Sequence, residues 1–316
     1  MTLNLESFGF RPITKTGIRP ALSFPDYLLA DGVSNSLLTA AITPQHAVAY
    51  LTDTDKRVET EPHRFGRLSH TRILTPELCR TIEHPEQYET GKRKIETHAG
   101  GLKQSVAEFK DWNWNSRVCK DWREAKRAQG FEPISAKDEE RLKRMSDAVY
   151  SHAGAAGLLA SLKSREVTCF SKMKIGQRDI LCKMRADFVP KNALADYKTT
   201  VDASPAAFQK SIAEFGYHRQ AAFYRFVWNA CHNAKETTRA RRQSFFFVAQ
   251  EKTAPFAVAV YEMTGEAFDV ALEEIRVRMA NVITAIETPV TELTAAAYGA
   301  DPFPITLPDW HVNRVA

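Results

Sequence analysis

The spacing of apolar and polar residues divides the chain into a first part that is helical or irregular and a second part that is mixed. No periodicity marks the first 25 residues or the stretch 84–116, so the first predicts an irregular arm and the second long loops with short elements. Apolar residues recur at helical spacing elsewhere. The predicted helices of this part cover 34–51, 65–74, 122–129 and 135–162.

Strand patterns begin after the long helix that starts at Ser135. The expected order is three strands, a helix, two strands and a final helix, over 166–173, 179–189, 193–199, 205–231, 244–250, 254–263 and 265–286. A three-stranded meander that leads into a helix and further strands indicates an α/β core with a central mixed sheet flanked by helices. We expect a mostly helical N-terminal extension over 1–134, the core over 135–288 and a Pro-rich tail over 289–316.

Composition and length restrict the class of protein. The 316 residues carry 43 Lys+Arg against 38 Asp+Glu, and 44% are hydrophobic, which is typical of globular proteins and excludes collagen-like or wholly disordered chains. The length favours two domains, or one core with a large extension. The stretch 32–52 lacks charged residues but is rich in Ser, Thr and Asn, so we expect no membrane span there. The N-terminus lacks the pattern of a secretory signal.

The cysteines indicate the compartment. The chain has 5, an odd number, widely spaced and without a CxxC pair. This pattern favours reduced thiols in the cytoplasm over a disulfide framework or a zinc site.

Basic residues form local clusters at 92–94, 120–127 and 239–242, and tryptophans 112, 114 and 122 lie near the second cluster. Cations beside aromatic rings suit a phosphate backbone and stacked bases. The same pattern also fits solvated helix faces and buried tryptophans. Composition alone leaves both interpretations open.

The third predicted strand and the hairpin before it carry the candidate chemistry. Alternation puts Asp196 and Lys198 on one face of the strand and Tyr197 on the other. Asp187, across a short hairpin, can reach Asp196, and Glu166 could add a third carboxylate. Converging carboxylates would hold a hard cation such as Mg²⁺, and a lysine could orient water or stabilise charge on phosphorus. A solvated ion pair is the alternative, but burial on an apolar strand is costly for an acid without a partner.

Three further positions are candidates with open alternatives. Gln220 and Tyr224 are four residues apart on one face of the helix after the third strand, a face that could equally be polar surface. His70 lies on a predicted helix, where a structural role is the alternative. Arg185 could contact a phosphate or form an ion pair with Glu166.

These residues resemble the PD-(D/E)XK nuclease superfamily. Asp187 followed by Asp196-Tyr197-Lys198 resembles its signature, although no Pro precedes Asp187 and Tyr197 replaces the commoner Ile or Val. Gln220 to Tyr224 looks like the QxxxY motif of the exonuclease branch. Gly66 to His70 resembles the Gly-x-x-x-His segment upstream of that core.

The resemblance extends beyond the core to exodeoxyribonuclease VIII-like nucleases of phages and prophages. Residues 31–37 are similar to the start of such proteins, and Pro308-Asp309-Trp310 to their tail. The similarity runs from about residue 30 to the end and is strongest over 166–226. Some relatives hold an iron–sulfur cluster, but this chain lacks the cysteine spacing for one.

The resemblance implies a function in DNA recombination. Such enzymes degrade linear double-stranded DNA with Mg²⁺, for which Mn²⁺ can substitute, usually 5′ to 3′, and leave a 3′ strand for an annealing protein. They commonly form homo-oligomeric rings around DNA. Carried over by position, the metal ligands would be Asp187, Asp196, Glu166 and His70, and the catalytic lysine would be Lys198. Gln220 and Tyr224 would be the helix motif that contacts DNA or this lysine. Arg185, which could contact a phosphate, completes the set of DNA-binding candidates.

Two other functions fit the sequence. One is a structure-specific or site-specific endonuclease on the same fold, and the other is a non-catalytic DNA-binding accessory protein. One metal ion and two are equally compatible with the motifs. A zinc or thiol enzyme has no ligand spacing to support it.

Overall fold

The computed structural model describes residues 2–3, 5–13, 15–20, 22–53, 59–96, 103–232, 244–289, 292, 293, 302 and 305. Among these residues, no helix is both long enough and apolar enough to cross a membrane. The basic cluster at 239–242, the tail motif at 308–310 and the side chains of Arg93 and Lys94 lie outside this description.

The N-terminal part contains more strands than its sequence pattern predicts. Its elements are β1 (Thr2–Leu3), β2 (Gly17–Arg19), α1 (Phe24–Leu29), α2 (Asn35–Ala40), α3 (Pro44–Thr52), α4 (Glu61–Leu74), β3 (Thr81–Glu83), β4 (Gln87–Glu96), β5 (Lys103–Asp111), α5 (Arg117–Ala128) and β6 (Glu132–Ile134). The predicted helix over 34–51 is divided, because the Thr43 side chain caps a new helix that begins at Pro44. The prediction of loops over 84–116 was wrong. The β4–β5 hairpin is largely exposed, so its strands lack the apolar alternation of a half-buried sheet.

The second part follows the predicted order of elements. These are α6 (Ala136–Ser151), α7 (Ala153–Ala160), β7 (Leu162–Ile175), β8 (Arg178–Pro190), β9 (Ala193–Thr200), α8 (Pro205–Phe215), α9 (Tyr217–Cys231), β10 (Ser244–Glu251), β11 (Val258–Glu262) and α10 (Gly265–Glu287). Two predicted long helices are broken, at His152 and at Gly216. His152 has extended backbone angles, and its Nδ1 accepts a hydrogen bond from the N–H of Ala155. Gly216 has φ 66°, and a Cβ there would lie 2.1 Å from the guanidinium of Arg219. Glycine suits this break, because it adopts a positive φ without steric cost and leaves room for the guanidinium.

The central sheet is mixed, as predicted. Its strand order is β11-β10-β9-β8-β7-β2, with β1 added beside β8. β9 and β10 are parallel, and the other neighbours on this path are antiparallel. The α/β class is thereby confirmed, and strands from the N-terminal part complete the sheet.

Helices cover both faces of the sheet. The larger core joins the sheet to α2, α3, α9 and α10, and a second core joins the other face to α4, α6 and α7. Alternation along β9 sends Leu194 into the first core and Tyr197 into the second. As a result, Asp196 and Lys198 lie on the side covered by α9, as the sequence predicts.

Candidate active site

The site forms where β8 and β9 part. The ladder between these strands consists of the pair Phe188–Ala195. Beside it, Oδ2 of Asp187 accepts a hydrogen bond of 3.1 Å from the backbone N–H of Tyr197. A side-chain carboxylate thus occupies the place of a backbone acceptor, and this fixes Asp187 at the junction of the strands.

Asp196 lies one residue from that junction and is 1% exposed. Nζ of Lys198 lies 2.6 Å from its Oδ2, and Nε2 of Gln220 donates a hydrogen bond of 2.7 Å to its Oδ1. A buried carboxylate is costly unless both a charge partner and hydrogen bonds are present. Lys198 and Gln220 supply both, so the three side chains form one unit.

His70, Glu166 and Asp187 form a group that could hold a metal ion. Nε2 of His70 lies 3.1 Å from Oδ2 of Asp187, and its Nδ1 lies 3.5 Å from Oε1 of Glu166. One ligand atom from each lies within 4.8 Å of the others, and no other such cluster occurs in the part of the chain that the structure describes. Imidazole nitrogen and carboxylate oxygen are common metal ligands. Asp196 lies beside this group instead of within it.

The backbone of Glu166 is strained. Its φ is 52°, in the left-handed region that non-glycine residues rarely adopt, and it faces Asp187 across the β7–β8 pair. Nε of Arg185 lies 2.6 Å from Oε2 of Glu166, and its Nη1 donates to the carbonyl of Leu22 and to Oγ1 of Thr168. Of the two roles expected for Arg185, the ion pair with Glu166 is therefore present. Such strain costs roughly 1–3 kcal/mol and is concentrated at functional sites.

The charges of the site balance one another. Burial alone would lower the pKa of His70, but the carboxylates of Asp187 and Glu166 outweigh it and raise this pKa to about 9. Burial likewise opposes ionisation of Asp187, yet His70 and Lys198 hold its pKa below the usual range. Burial and the neighbouring Asp187 raise the pKa of Asp196 to about 6. For Lys198, Asp196 and Asp187 outweigh burial and raise the pKa. In the absence of a metal ion, the protonated side chains of His70 and Lys198 therefore lie among the carboxylates of the site.

Tyr217 contributes a contact that the sequence interpretation missed. Nζ of Lys198 lies 4.8 Å from the centre of its ring, within cation–π range. Tyr217, Gln220 and Tyr224 are spaced i, i+3 and i+7 on one face of α9, a pattern that could have indicated this role. Gln220 is 8% exposed and shares a hydrogen bond with Tyr224, so both predicted motif residues lie beneath the carboxylates.

The sequence also matches a family of known domains. Residues 34–292 match the model of the PDDEXK-like domain of unknown function (DUF3799). The chain belongs to this family. A PD-(D/E)XK nuclease fold follows, and the family supports hydrolase activity of the nuclease type, with a metal ion and DNA as substrate.

Solved structures with a similar fold are distant. A candidate exonuclease from Eubacterium rectale is 11% identical with a TM-score of 0.49, over 86% of this chain and 90% of that one. LHK-Exo in complex with dAMP is 15% identical with a TM-score of 0.24, over 55% of this chain and 84% of that one. No curated protein matches the chain. Because both TM-scores lie below 0.5, membership of the PDDEXK-like family rests on the match to the family model.

Proposed function

We propose that the protein is a metal-dependent exodeoxyribonuclease that hydrolyses phosphodiester bonds of linear double-stranded DNA. The observation that carries the proposal is the meeting of His70, Glu166 and Asp187 within 4.8 Å, beside the ion pair of Asp196 and Lys198. The expected 5′ to 3′ direction and the 3′ single-stranded product for recombination rest on the resemblance to exodeoxyribonuclease VIII-like nucleases.

The metal in this proposal is Mg²⁺, for which Mn²⁺ can substitute. Glu166 and Asp187 would hold it with the carboxylate oxygens that both ions prefer, and His70 would join them on losing its imidazole proton to solvent. When bound, the ion polarises the phosphate and lowers the pKa of a coordinated water. Asp196 remains a further candidate ligand next to this group.

The chain's own residues prepare the site for the charge that develops on phosphate. Lys198 stays protonated because Asp196 and Asp187 raise its pKa, so its ammonium can offset negative charge in the transition state. Gln220 fixes the Asp196 carboxylate, and Asp196 fixes the ammonium. In the same way Arg185 fixes Glu166. We assign Arg185, Gln220 and Tyr224 as positioning residues. They hold the Glu166 and Asp196 carboxylates and the Lys198 ammonium in place, and they affect DNA cleavage through these groups.

Three wider expectations belong to the proposal, two of them by resemblance to the same nucleases. These two are a homo-oligomeric ring that encloses DNA and an annealing protein that receives the 3′ strand; the third, a cytoplasmic location, comes instead from the pattern of free cysteines. Light scattering of the purified protein, alone and with linear duplex, would measure the first.

The test is digestion of two DNA forms with Mg²⁺ and with EDTA. The substrates are a linear duplex labelled at either the 5′ or the 3′ end and a covalently closed circle. We expect Mg²⁺-dependent loss of the linear form from the 5′ end, with the circle intact. Cleavage of the circle would assign an endonuclease on the same fold. Binding without degradation of either form, in Mg²⁺ or Mn²⁺, would assign a non-catalytic DNA-binding protein.

A further inference from the structure

Helix α5 carries a concentrated surplus of positive charge. Its basic residues outnumber Asp121 and Glu124 five to two, and they are Arg117, Lys120, Arg123, Lys126 and Arg127. The surplus of three on this helix compares with a net charge of +5 for the whole chain. Lys120, Arg123 and Arg127 are spaced i, i+3 and i+7, so they form a stripe along one face.

The cations of this stripe are available to a partner. Lys120 is exposed, and none of the residues that the structure describes forms an ion pair with it. Arg123 lies over the ring of Trp114 at 5.4 Å, and its Nε is buried without a hydrogen-bond partner among the described residues. Arg127 forms an ion pair with Glu132 at 2.7 Å, yet its side chain is 43% exposed.

An aromatic cluster holds the stripe in place. Trp112 packs against Trp114, Trp122 and His84, with ring centres 5.4, 5.1 and 4.9 Å apart. Trp122 belongs to α5, whereas the other three rings flank the β4–β5 hairpin. The tryptophans near the basic cluster are therefore half-buried packing residues, and they fix the position of the helix that carries the cations.

The stripe is connected through Glu132 to α4, the helix that carries His70. Glu132, the partner of Arg127, also lies 3.3 Å from Nη2 of Arg67 on α4. Arg67 precedes His70 by three residues, a rise of about 4.5 Å on the same side of the helix. From Arg127 the stripe leads away over seven residues of α5, about 10 Å, to Lys120.

We propose that Lys120, Arg123 and Arg127 bind the phosphate backbone of the DNA substrate and guide it to the active site. The inference rests on the proposed function, which supplies an anionic chain as the partner. A stripe of about 10 Å spans roughly three nucleotide steps at 3.4 Å along one strand. Contacts of this kind are independent of base sequence and sensitive to salt. The stripe therefore gives affinity and register to a non-specific nuclease.

The experiment is a salt titration of DNA binding in EDTA, measured by fluorescence anisotropy of a labelled duplex. The test variant is Lys120→Gln/Arg123→Gln. The matched control is Lys172→Gln/Lys174→Gln, which removes two exposed cations near the far end of β7, where Lys174 is about 26 Å along the strand from Glu166. We expect the slope of log K against log[salt] to flatten by about 2 in the test variant and to stay unchanged in the control. The turnover rate of the control variant at saturating DNA should equal that of the wild type.

Equal slopes in the test variant and the wild type would overturn the proposal, as would an equal effect in the control. Lys120→Gln alone, at an exposed position without an ion pair, should flatten the slope by about 1 and guards against a folding defect in the double variant. Because binding is measured without metal, the result is separate from catalysis. If the protein cleaves no DNA but the test variant still shows the flatter slope, the proposed function is wrong and the binding surface stands. If the protein cleaves DNA but the test variant has the same slope as the wild type, the proposed binding surface is wrong and the proposed function stands.

Discussion

Nε2 of His70 lies 3.1 Å from Oδ2 of Asp187, although the two residues come from α4 and from the middle of the central sheet. The packing of α4 fixes this approach. Its Ile73 and Leu74 are buried in the same core as Phe188, the residue that follows Asp187. The segment before the core thus supplies part of the candidate metal site.

Replacement of His70 tests this contribution. His70→Gln removes an imidazole from the group that would hold the metal, and we expect cleavage to fall by about 10²-fold and to recover in part at higher Mg²⁺. His63→Gln, an exposed histidine on the same helix, is the control. Equal activity of the two variants would exclude His70 from the site.

Tyr217 should act on Lys198 through its ring and not through its hydroxyl. A cation–π contact of this kind contributes about 1 kcal/mol, so Tyr217→Leu should lower kcat by about fivefold with little change in KM. Tyr217→Phe keeps the ring and should keep the activity. If Phe and Leu variants were equally impaired, the hydroxyl or the packing would be responsible.

The strain at Glu166 can be measured by a pair of substitutions. Glu166→Ala and Glu166→Gly both remove the carboxylate and the ion pair with Arg185, but only glycine adopts φ 52° without steric cost. We expect both to lose cleavage activity and the glycine variant to be more stable by about 1 kcal/mol in urea unfolding. An alanine variant of equal or greater stability would contradict a strained backbone.

Glu132 should make stability depend on acid pH. Burial opposes its ionisation, but the guanidinium groups of Arg127, Arg67 and Arg64 outweigh this and lower its pKa below the ordinary 4.5. The ionised form therefore stabilises the fold fully above about pH 4.5, and this contribution is lost as the pH falls through the lowered value. Glu132→Gln should cost about 1–3 kcal/mol at pH 7 and progressively less below pH 4.5.

Urea unfolding between pH 7 and pH 3.5 measures this difference. Glu140→Gln, an exposed position on α6, serves as the control. If the difference in free energy of unfolding between the wild type and Glu132→Gln stays constant with pH, the charge of Glu132 contributes nothing to stability.

The sequence predicts the central strands and the acidic pattern because both have local signals. Alternation along β9 is sufficient to put Asp196 and Lys198 on one face. The contacts of Lys198 with Tyr217 and of His70 with Asp187 could not be predicted in this way, since they depend on how α9 and α4 pack on the sheet. Each contact joins residues that are distant in sequence.

The breaks in the helices were missed for a related reason. Gly216 adopts a left-handed conformation, the Arg219 guanidinium lies where a Cβ would be, and apolar periodicity continues across this position. His152 has extended backbone angles, and its side chain caps the start of α7. The β4–β5 hairpin escaped detection because exposed strands do not alternate between apolar and polar residues. The helix breaks depend on backbone conformation, and the hairpin depends on solvent exposure. Neither property can be read from the hydrophobic pattern.

In the proposed function, the group around Asp187 drives metal-dependent hydrolysis of DNA. The most direct measurement compares the loss of linear duplex in Mg²⁺ for the wild type, for Asp187→Asn and for Asp269→Asn, an exposed position on α10 that serves as the matched control. We expect degradation by the wild type and the control, none in EDTA, and a loss of at least about 10²-fold in Asp187→Asn. Full activity of Asp187→Asn, or activity of the wild type in EDTA, would contradict the proposed function.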